Sequence, residues 1–155
     1  MPNEHPLAGT LDDVRVLDLT QNLPGPYATL LLAAMGATVI KVEPPGGETA
    51  RGVPSLFELV NRGKQSVVLD LKSEGGREAL LRLAGECDVL VEGFRPGVLE
   101  SLGIAPAVLH ERNPRLVICR ISGFGQTGPY SEHPAHDLNL QALTGVCHMS
   151  RDREG

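Results

Sequence analysis

Long runs of one chemical character are missing from this chain of 155 residues. The net charge is −5 and no block of five or six like charges occurs, so a surface for nucleic acid or an anionic membrane would form against the overall field. The longest mainly apolar run, Ala28 to Ala34, is much shorter than the about 20 residues of a membrane-spanning helix. We therefore expect neither a nucleic-acid partner nor a membrane partner.

Cysteine is also scarce, with Cys87, Cys119 and Cys147 and no C-x-x-C spacing. The odd number argues against a disulfide framework, and the spacing argues against a zinc site, so no metal is predicted. Cys87 and Cys119 stand beside apolar, strand-like runs and are interpreted as small core residues. The N-terminus lacks the basic-then-apolar pattern of a secretory signal, and a reduced, cytoplasmic setting fits best.

Two nucleotide-binding fingerprints are absent as well. Neither G-x-G-x-x-G nor a Walker A sequence occurs, so nicotinamide and ATP lose their best support. The turn Leu23-Pro24-Gly25-Pro26 instead joins the first predicted strand to the first predicted helix, where backbone amides and a helix dipole face ligands in open α/β sheets. A purely structural turn explains the same residues, and both interpretations stay open.

Apolar runs rich in β-branched residues recur along the chain and alternate with helix signals. This alternation predicts an α/β fold with a parallel sheet. The runs are nearly continuous, which is typical of strands covered by helices on both faces. With 41% hydrophobic and 21% charged residues, one domain with one packed core is expected. The predicted strands are Val14–Leu19, Thr38–Val42, Ser66–Leu71, Val89–Val91 and Arg115–Ile121.

Helix signals fill the stretches between these strands. Pro26 suits the first turn of a helix that runs through Met35 and stops at Gly36. Ser73 is a predicted N-cap for a helix that continues to Gly85 with an apolar stripe. Residues 44–64 form a long connection that is expected to be functional or locally structured, and residues 123–134 a surface loop. Further helices are predicted over Pro96–Leu102, over Pro106–Arg112 and from His136 onward.

Basic side chains are few, but they stand at predicted strand ends and in loops. An anionic ligand with several phosphates could use such a set, although solvated surface charge explains any single member. At the edge of the Gly-rich loop, His136 is a candidate general base and Asp137 suits a helix N-terminus. A surface histidine without a catalytic role is the alternative. The basic set is Lys41, Arg51, Arg62, Lys64, Lys72 and Arg95.

Five ordered strings resemble consecutive blocks of family III CoA-transferases and α-methylacyl-CoA racemases, over roughly residues 10 to 155. The resemblance implies a Rossmann-like large domain with an open parallel sheet and helices on both faces. It also implies that residues 1–155 are the N-terminal part of that domain, without its remainder or the small domain, and that residues 151–155 form a connecting loop. The strings are "VRVLDLTQNLPGPYATLLLAAMGATVIKVEPPGG", "NRGKQSVVLDLKS", "DVLVEGFRPGVLESLGI", "RLVICRISGFGQTGP" and "AHDLNLQALTGV".

The same resemblance implies coenzyme A or an acyl-CoA as a substrate, with no permanently bound cofactor, and an interlocked homodimer for the full-length protein. Coenzyme A is expected at the end of the second strand, the D-L-K segment and the F-R-P-G turn. Pro44 and Ser101 stand where relatives often have basic residues, which weakens the expected affinity. The implied binding residues are Lys41, Leu69, Asp70, Leu71, Lys72, Gly93, Phe94 and Arg95.

The block "AHDLNL" resembles the racemase block G-H-D-x-N-[YF]. It implies His136 as the base that removes the α-proton of a 2-methylacyl-CoA. The backbone N–H of Asp137 is the candidate donor to the enolate oxygen, and the Asp137 side chain is expected to fix local structure. Ala135 and Leu140 replace the usual glycine and aromatic residue. Ala135, Asn139 and Leu140 complete the implied acyl-CoA-binding set.

Three functions remain open at this point. The first is an acyl-CoA racemase or epimerase, whose second catalytic acid, an Asp, would lie beyond residue 155. The second is a CoA-transferase that moves CoA between carboxylic acids through that Asp. The third is a non-catalytic binding module or one half of a split enzyme. For this chain by itself the resemblance predicts weak CoA binding and no completed racemisation.

Overall fold

Among the residues that the structure describes, five strands form one sheet in which every pair is parallel, which confirms the predicted α/β fold. The computed structural model describes Leu7 and residues 9–149, so the connecting loop predicted over residues 151–155 lies outside the described residues. The strands are β1 (Arg15–Leu19), β2 (Thr38–Glu43), β3 (Gln65–Val68), β4 (Val89–Glu92) and β5 (Val117–Arg120).

Helices connect successive strands at nearly all the predicted places. The first helix begins at Pro24 and has Pro26 in its first turn, as predicted, because proline at the first helical positions leaves no amide without a partner. The long connection over residues 44–64 contains a 3-10 turn at Thr49–Gly52 and a helix that the sequence did not predict. The helices are α1 (Pro24–Ala34), α2 (Pro54–Asn61), α3 (Glu74–Gly85), α4 (Val98–Ser101), α5 (Pro106–Arg112), α6 (Asp137–Thr144) and α7 (Val146–Met149).

The strand order β3-β2-β1-β4-β5 puts the first strand at the centre. The chain moves outward from β1 to β3 and then returns to add β4 on the other side of β1. Leu17 of β1 is accordingly paired with Ile40 of β2 and with Leu90 of β4. In open α/β sheets, ligands bind outside the carboxyl ends of the strands at such a reversal. The topology therefore favours a ligand site among the residues that follow β1, β2 and β4.

Apolar residues are buried on both faces of this sheet. Leu17 belongs to one hydrophobic cluster with Leu80 of α3, Leu99 of α4 and Leu109 of α5, whereas Val16 belongs to another, against which Leu32 of α1 packs. Successive strand residues point to opposite faces, so these two neighbours of β1 belong to different clusters. The predicted helix layers on both faces are confirmed by this packing.

The two cysteines interpreted as core residues differ in burial. Cys87 is buried, and burial raises the pKa of its thiol. Cys119 is exposed, so its interpretation as a core residue is wrong. The reason is that Cys119 shares the uncovered face of β5 with the exposed Val117, whereas Ile118 and Arg120 are half-buried on the other face.

Two compact units make up the chain, residues 1–121 and residues 122–155. The sheet and its hydrophobic clusters belong to the first unit. In the second, α6 and α7 have no buried residue, and Leu138, Leu143 and Met149 are strongly exposed. Within residues 9–149, none of the helices has the length and apolar character needed to cross a bilayer.

Candidate functional site

A cavity of about 230 Å³ lies at the carboxyl ends of β1 and β2 in the first unit. Its wall comes from the ends of these strands, from the turn after β3, and from the segment that follows β4. Apolar side chains dominate this wall, and polar groups stand at a few places, as is usual for small-molecule sites. The lining residues are Leu19, Gln21, Val42, Glu43, Pro44, Leu69, Asp70, Leu71, Lys72, Phe94, Val98 and Leu102.

Three segments implied by the family resemblance meet at this cavity. The whole D-L-K segment, Leu69 to Lys72, lines it together with Pro44 and Phe94. Gly93 and Arg95 flank Phe94 and are exposed, but they do not line the cavity. The fold therefore brings together residues that lie far apart in the sequence.

The D-L-K segment is held as a turn against the start of α3. Asp70 accepts a hydrogen bond from the backbone N–H of Lys72 at 3.0 Å, and the Ser73 hydroxyl donates to the Asp70 carbonyl at 2.8 Å. Ser73 also accepts from the backbone N–H of Gly76, which confirms it as the N-cap of α3. A methyl group on Gly76 would overlap with the Asp70 carbonyl. The turn therefore requires glycine at this position and leaves Lys72 exposed at the cavity rim.

The F-R-P-G turn is fixed by a buried carboxylate. Glu92 is 0% exposed and accepts from the backbone N–H of Phe94 at 2.6 Å and from Nε of Arg120 at 2.7 Å. Gly97 follows with a φ of 86°, a left-handed conformation that favours glycine, and α4 starts at the next residue. These contacts set the position of Phe94 on the cavity wall.

Lys41, which was predicted to bind the ligand, has an internal side chain. It is 1% exposed, and its Nζ donates to the Thr20 carbonyl at 2.9 Å and pairs with Glu48 at 3.0 Å. It does not line the cavity. The interpretation of the six basic residues as one ligand-facing set therefore does not apply to the Lys41 ammonium, whose partners are protein groups.

A second internal lysine supports the Leu23–Pro26 turn. Lys64 Nζ donates to the Pro26 carbonyl at 2.8 Å, to the Thr29 hydroxyl at 2.8 Å and to Asp18 at 3.0 Å. Burial lowers the pKa of Lys64, whereas Asp18 raises it to a smaller extent. For Asp18, burial raises the pKa, but Lys41, Lys64 and two threonine hydroxyls together hold it below its ordinary value. A methyl group on Gly25 would overlap with Thr20, so the turn also packs closely on the end of β1.

Glu43 connects the cavity wall to the connection after β2. Its two carboxylate oxygens accept from Arg51 at 2.5 and 2.7 Å, and one of them also accepts from Ser66 at 2.6 Å. The Arg51 guanidinium lies 4.0 Å from the centroid of the Phe57 ring. These hydrogen bonds, with that of Arg51 first, lower the pKa of Glu43 to about 2. Arg51 therefore has a structural partner as well.

In the second unit, the predicted acyl-CoA residues surround the start of α6. The His136 backbone N–H donates to Asn139 Oδ1 at 2.7 Å, and Asn139 Nδ2 donates to the Pro134 carbonyl at 2.9 Å. Asp137 accepts from Gln141 at 2.6 Å. The side chains of Asn139 and Asp137 thus hold the loop-to-helix junction, and the His136 side chain is exposed.

Ala135 and Leu140 lie beside the Gly-rich loop of the same unit. A methyl group on Gly123 would overlap with the Ala135 side chain and would lie 3.7 Å from Leu140. Both residues are half-buried. They hold the loop close to α6.

Several lining residues were missed by the sequence analysis. Gln21 follows β1 directly, so the strand-end rule that selected Leu23 to Pro26 could also have selected it. Val98 and Leu102 gave no such signal, because apolar residues of a short helix are normally interpreted as core. Glu92 and Arg120 were not predicted either.

An open parallel sheet with packed layers on both faces and a cavity at the carboxyl ends of its strands defines a doubly wound α/β fold. The profile of CoA-transferase family III matches residues 11–155, and the chain belongs to that family.

Known relatives include both CoA-transferases and a racemase. Over 89% of its length the chain is 47% identical to an acetyl-CoA:oxalate CoA-transferase from Acetobacter aceti, of which it covers 38%. Over 88% of its length it is 42% identical to the human alpha-methylacyl-CoA racemase, of which it covers 34%. The crystal structure of the hypothetical protein Rv3272 from Mycobacterium tuberculosis superposes with a TM-score of 0.87 at 46% identity, covering 94% of this chain and 42% of that one. The chain thus spans about two-fifths of the length of these relatives.

Proposed function

We propose that the cavity of the first unit holds part of a coenzyme A thioester, and that the chain belongs to an acyl-CoA enzyme. The observation that carries this proposal is the meeting of Leu69–Lys72, Pro44 and Phe94 in one cavity. The apolar wall suits the adenine ring and the pantetheine chain, and the exposed Lys72 can pair with a phosphate. In this proposal coenzyme A is a substrate and no cofactor is bound permanently.

Binding of free coenzyme A tests the proposal directly. Isothermal titration of the 155-residue chain with coenzyme A is expected to give saturable binding, and titration with pantetheine is expected to give weaker binding. Equal affinity for a nucleotide that lacks the pantetheine arm would support a general nucleotide site instead. The absence of any saturable heat or chemical-shift change with coenzyme A would contradict the proposal.

For the reaction, we propose α-proton abstraction from a 2-methylacyl-CoA. His136 takes the proton from C2, and the electron pair moves into the thioester to form an enolate. The Asp137 backbone N–H, at the start of α6, donates to the developing oxyanion. Return of a proton to the opposite face needs a second acid, which the resemblance assigns to an Asp beyond residue 155.

Isotope exchange tests the role of His136. The full-length protein is incubated with a 2-methylacyl-CoA in deuterated water. Incorporation of deuterium at C2 is followed by mass spectrometry. Exchange is expected for the wild type and a loss of at least about 100-fold for His136→Ala. His133→Ala is the matched control, because His133 is an exposed histidine of the same loop. Unchanged exchange in His136→Ala would contradict the assignment.

CoA transfer is the second candidate, favoured by the name of the relative with 47% identity. A transferase forms an enzyme-bound CoA thioester, whereas a racemase leaves the thioester on its substrate. Trapping the enzyme with hydroxylamine or borohydride after addition of acyl-CoA therefore separates the two reactions. A trapped protein adduct supports transfer, and its absence together with C2 exchange supports racemisation.

Further parts of the proposal concern the whole protein. We propose that residues 1–155 are part of a Rossmann-like large domain, that full-length chains form an interlocked homodimer, and that the protein is cytoplasmic. If the chain is instead half of a split enzyme or a binding module, mixing it with a polypeptide that supplies the C-terminal part decides between them. Regained activity supports the split enzyme, and association without activity supports the module.

A further inference from the structure

Glu92 ends β4 with a side chain that is completely buried. Its two oxygens have different partners: Oε2 accepts from the Phe94 backbone N–H at 2.6 Å, and Oε1 accepts from Arg120 Nε at 2.7 Å. A buried carboxylate is costly unless it is paired and hydrogen-bonded. The pairing with Arg120 therefore allows Glu92 to fix the backbone of the next turn.

Arg120 reaches a third element at the same time. Its side chain is 19% exposed, and its Nη1 and Nη2 lie 3.1 and 3.4 Å from the two carboxylate oxygens of Glu100 in α4. The planar guanidinium presents several donors in fixed directions, which one ammonium cannot reproduce. Arg120 thus connects β5 to both the start and the end of the segment Glu92–Glu100.

This segment forms one wall of the cavity. Phe94 and Val98 line the cavity from within it, and Leu102 lines the cavity just after it. Arg120, Glu92 and Glu100 are not lining residues. Arg120 therefore acts on this cavity through the wall that it holds, and not by lining it.

We propose that Arg120 is a positioning residue for the coenzyme A cavity: by holding Glu92 and Glu100 together, it sets the place of Phe94 and α4. The inference rests on the proposed function, because it concerns the affinity of the same cavity for coenzyme A. It adds a residue from β5, a strand that contributes nothing to the cavity lining.

The two ion pairs of Arg120 contribute unequally to the position of the cavity wall. Glu92 is buried, whereas the Glu100 side chain is 43% exposed, and exposed ion pairs contribute little. Loss of Arg120 leaves the Glu92 carboxylate buried with one partner fewer, so the pair with Glu92 dominates. The expected order of effects on affinity is Arg120→Met largest, Arg120→Lys intermediate and Glu100→Gln smallest.

The test measures coenzyme A affinity in folded protein. Titrations of the 155-residue wild type, Arg120→Met and Arg120→Lys are made well below their unfolding temperatures, with circular dichroism as the check of folding. The Kd is expected to rise about tenfold for Arg120→Met and about threefold for Arg120→Lys. A residue with only a structural role would lower the unfolding temperature and leave the Kd of the folded protein unchanged.

A matched control is available in Arg112, which pairs with Glu78 at 3.0 Å through side chains that are half-exposed and away from the cavity lining. Arg112→Met is expected to leave the Kd unchanged. A second readout is the amide resonance of Phe94, which should shift in Arg120→Met and stay in place in Arg112→Met. If Arg120→Met fails to fold, Arg120→Lys and Glu100→Gln decide the question by the same measurements.

The wild-type titration distinguishes a failure of this inference from a failure of the proposed function. Wild-type binding with the expected order of Kd values supports both. Wild-type binding with equal Kd values in folded Arg120 variants overturns the inference and leaves the function standing. Failure of the wild type to bind coenzyme A overturns the proposed function and the inference with it.

Discussion

Asp18 of β1 and Lys64 before β3 form an ion pair of 3.0 Å in which the two side chains are 0% and 1% exposed. The residues are 46 positions apart, and the pair joins the central strand to the connection that follows α2. Lys64 also donates to Pro26, so the pair holds the start of α1 against the sheet. Removal of Asp18 would leave the Lys64 ammonium buried without its ion-pair partner.

We therefore expect Asp18→Asn to lower the free energy of unfolding by about 3 kcal/mol. The amide keeps the shape of the carboxylate but cannot neutralise Lys64. Asp13→Asn, at an exposed aspartate next to the same strand, is the matched control and should change the free energy by less than about 0.5 kcal/mol. Urea denaturation measures both variants, and equal midpoints would show that the buried pair contributes nothing net.

Glu43 predicts a specific loss of stability in acid. Its pKa is about 2 in the folded chain, against 4.5 as the ordinary value, so the unfolded chain takes up the proton first as the pH falls. The stabilisation from Glu43 is complete above about pH 4.5 and disappears as the pH approaches about 2. It is at most about 3 kcal/mol, and smaller in practice because the Arg51 side chain is 45% exposed.

Urea midpoints between pH 5 and pH 2.5 measure this dependence. Glu43→Gln is expected to be less stable than the wild type at pH 6, and the difference should shrink as the pH falls. Glu58→Gln replaces an exposed glutamate of α2 and should follow the wild type at every pH. A constant difference for Glu43→Gln across the whole range would contradict the prediction.

Two neighbouring glycines of α3 provide a matched pair. A methyl group on Gly76 would overlap with the Asp70 carbonyl, whereas one on Gly75 meets nothing within 4 Å. Gly76→Ala should therefore lower stability by about 2 to 4 kcal/mol and weaken coenzyme A binding, because the D-L-K turn must move. Gly75→Ala should raise stability by up to about 1 kcal/mol, since alanine favours helix. Thermal unfolding and titration compare the two, and similar behaviour would contradict the predicted contact.

Lys72 is expected to contribute its charge to coenzyme A binding and nothing to the stability of the fold. Lys72→Ala should raise the Kd for coenzyme A about 3- to 30-fold at low salt, and less at high salt, because an exposed charge pairs with a phosphate and is screened. Arg82→Ala, an exposed cation at the other end of α3, is the control and should leave the Kd unchanged. If the affinity for coenzyme A does not depend on salt in either the wild type or Lys72→Ala, this would argue against phosphate contact by Lys72.

Much of the fold was predictable because its signals are local. Runs such as Thr38–Val42 and the N-cap Ser73 depend on neighbouring residues, and both were placed nearly as the structure has them. Helix α2 was missed because Pro54 and the surrounding glycines are typical of loops, although proline is equally at home at a helix start.

The site was less predictable, because burial decides what a charged residue does. Lys41 and Lys64 were interpreted by the usual rule that lysine lies at the surface, yet each has internal acceptors supplied by distant segments. Glu92 and Arg120 meet only through the pairing of β4 with β5. The D-L-K segment was found through family resemblance, whereas its place beside Phe94 in one cavity wall follows from the sheet order.

The exposed face of β5 also offers a site for selective chemical labelling. Cys119 precedes Arg120 on that strand and is exposed, while burial raises the pKa of the Cys87 thiol. Maleimide reagents at neutral pH should therefore modify Cys119 well before Cys87. Once Cys147 is replaced by serine, a fluorophore can be attached to β5 at the residue before Arg120, on the opposite face of the strand, without engineering a new thiol.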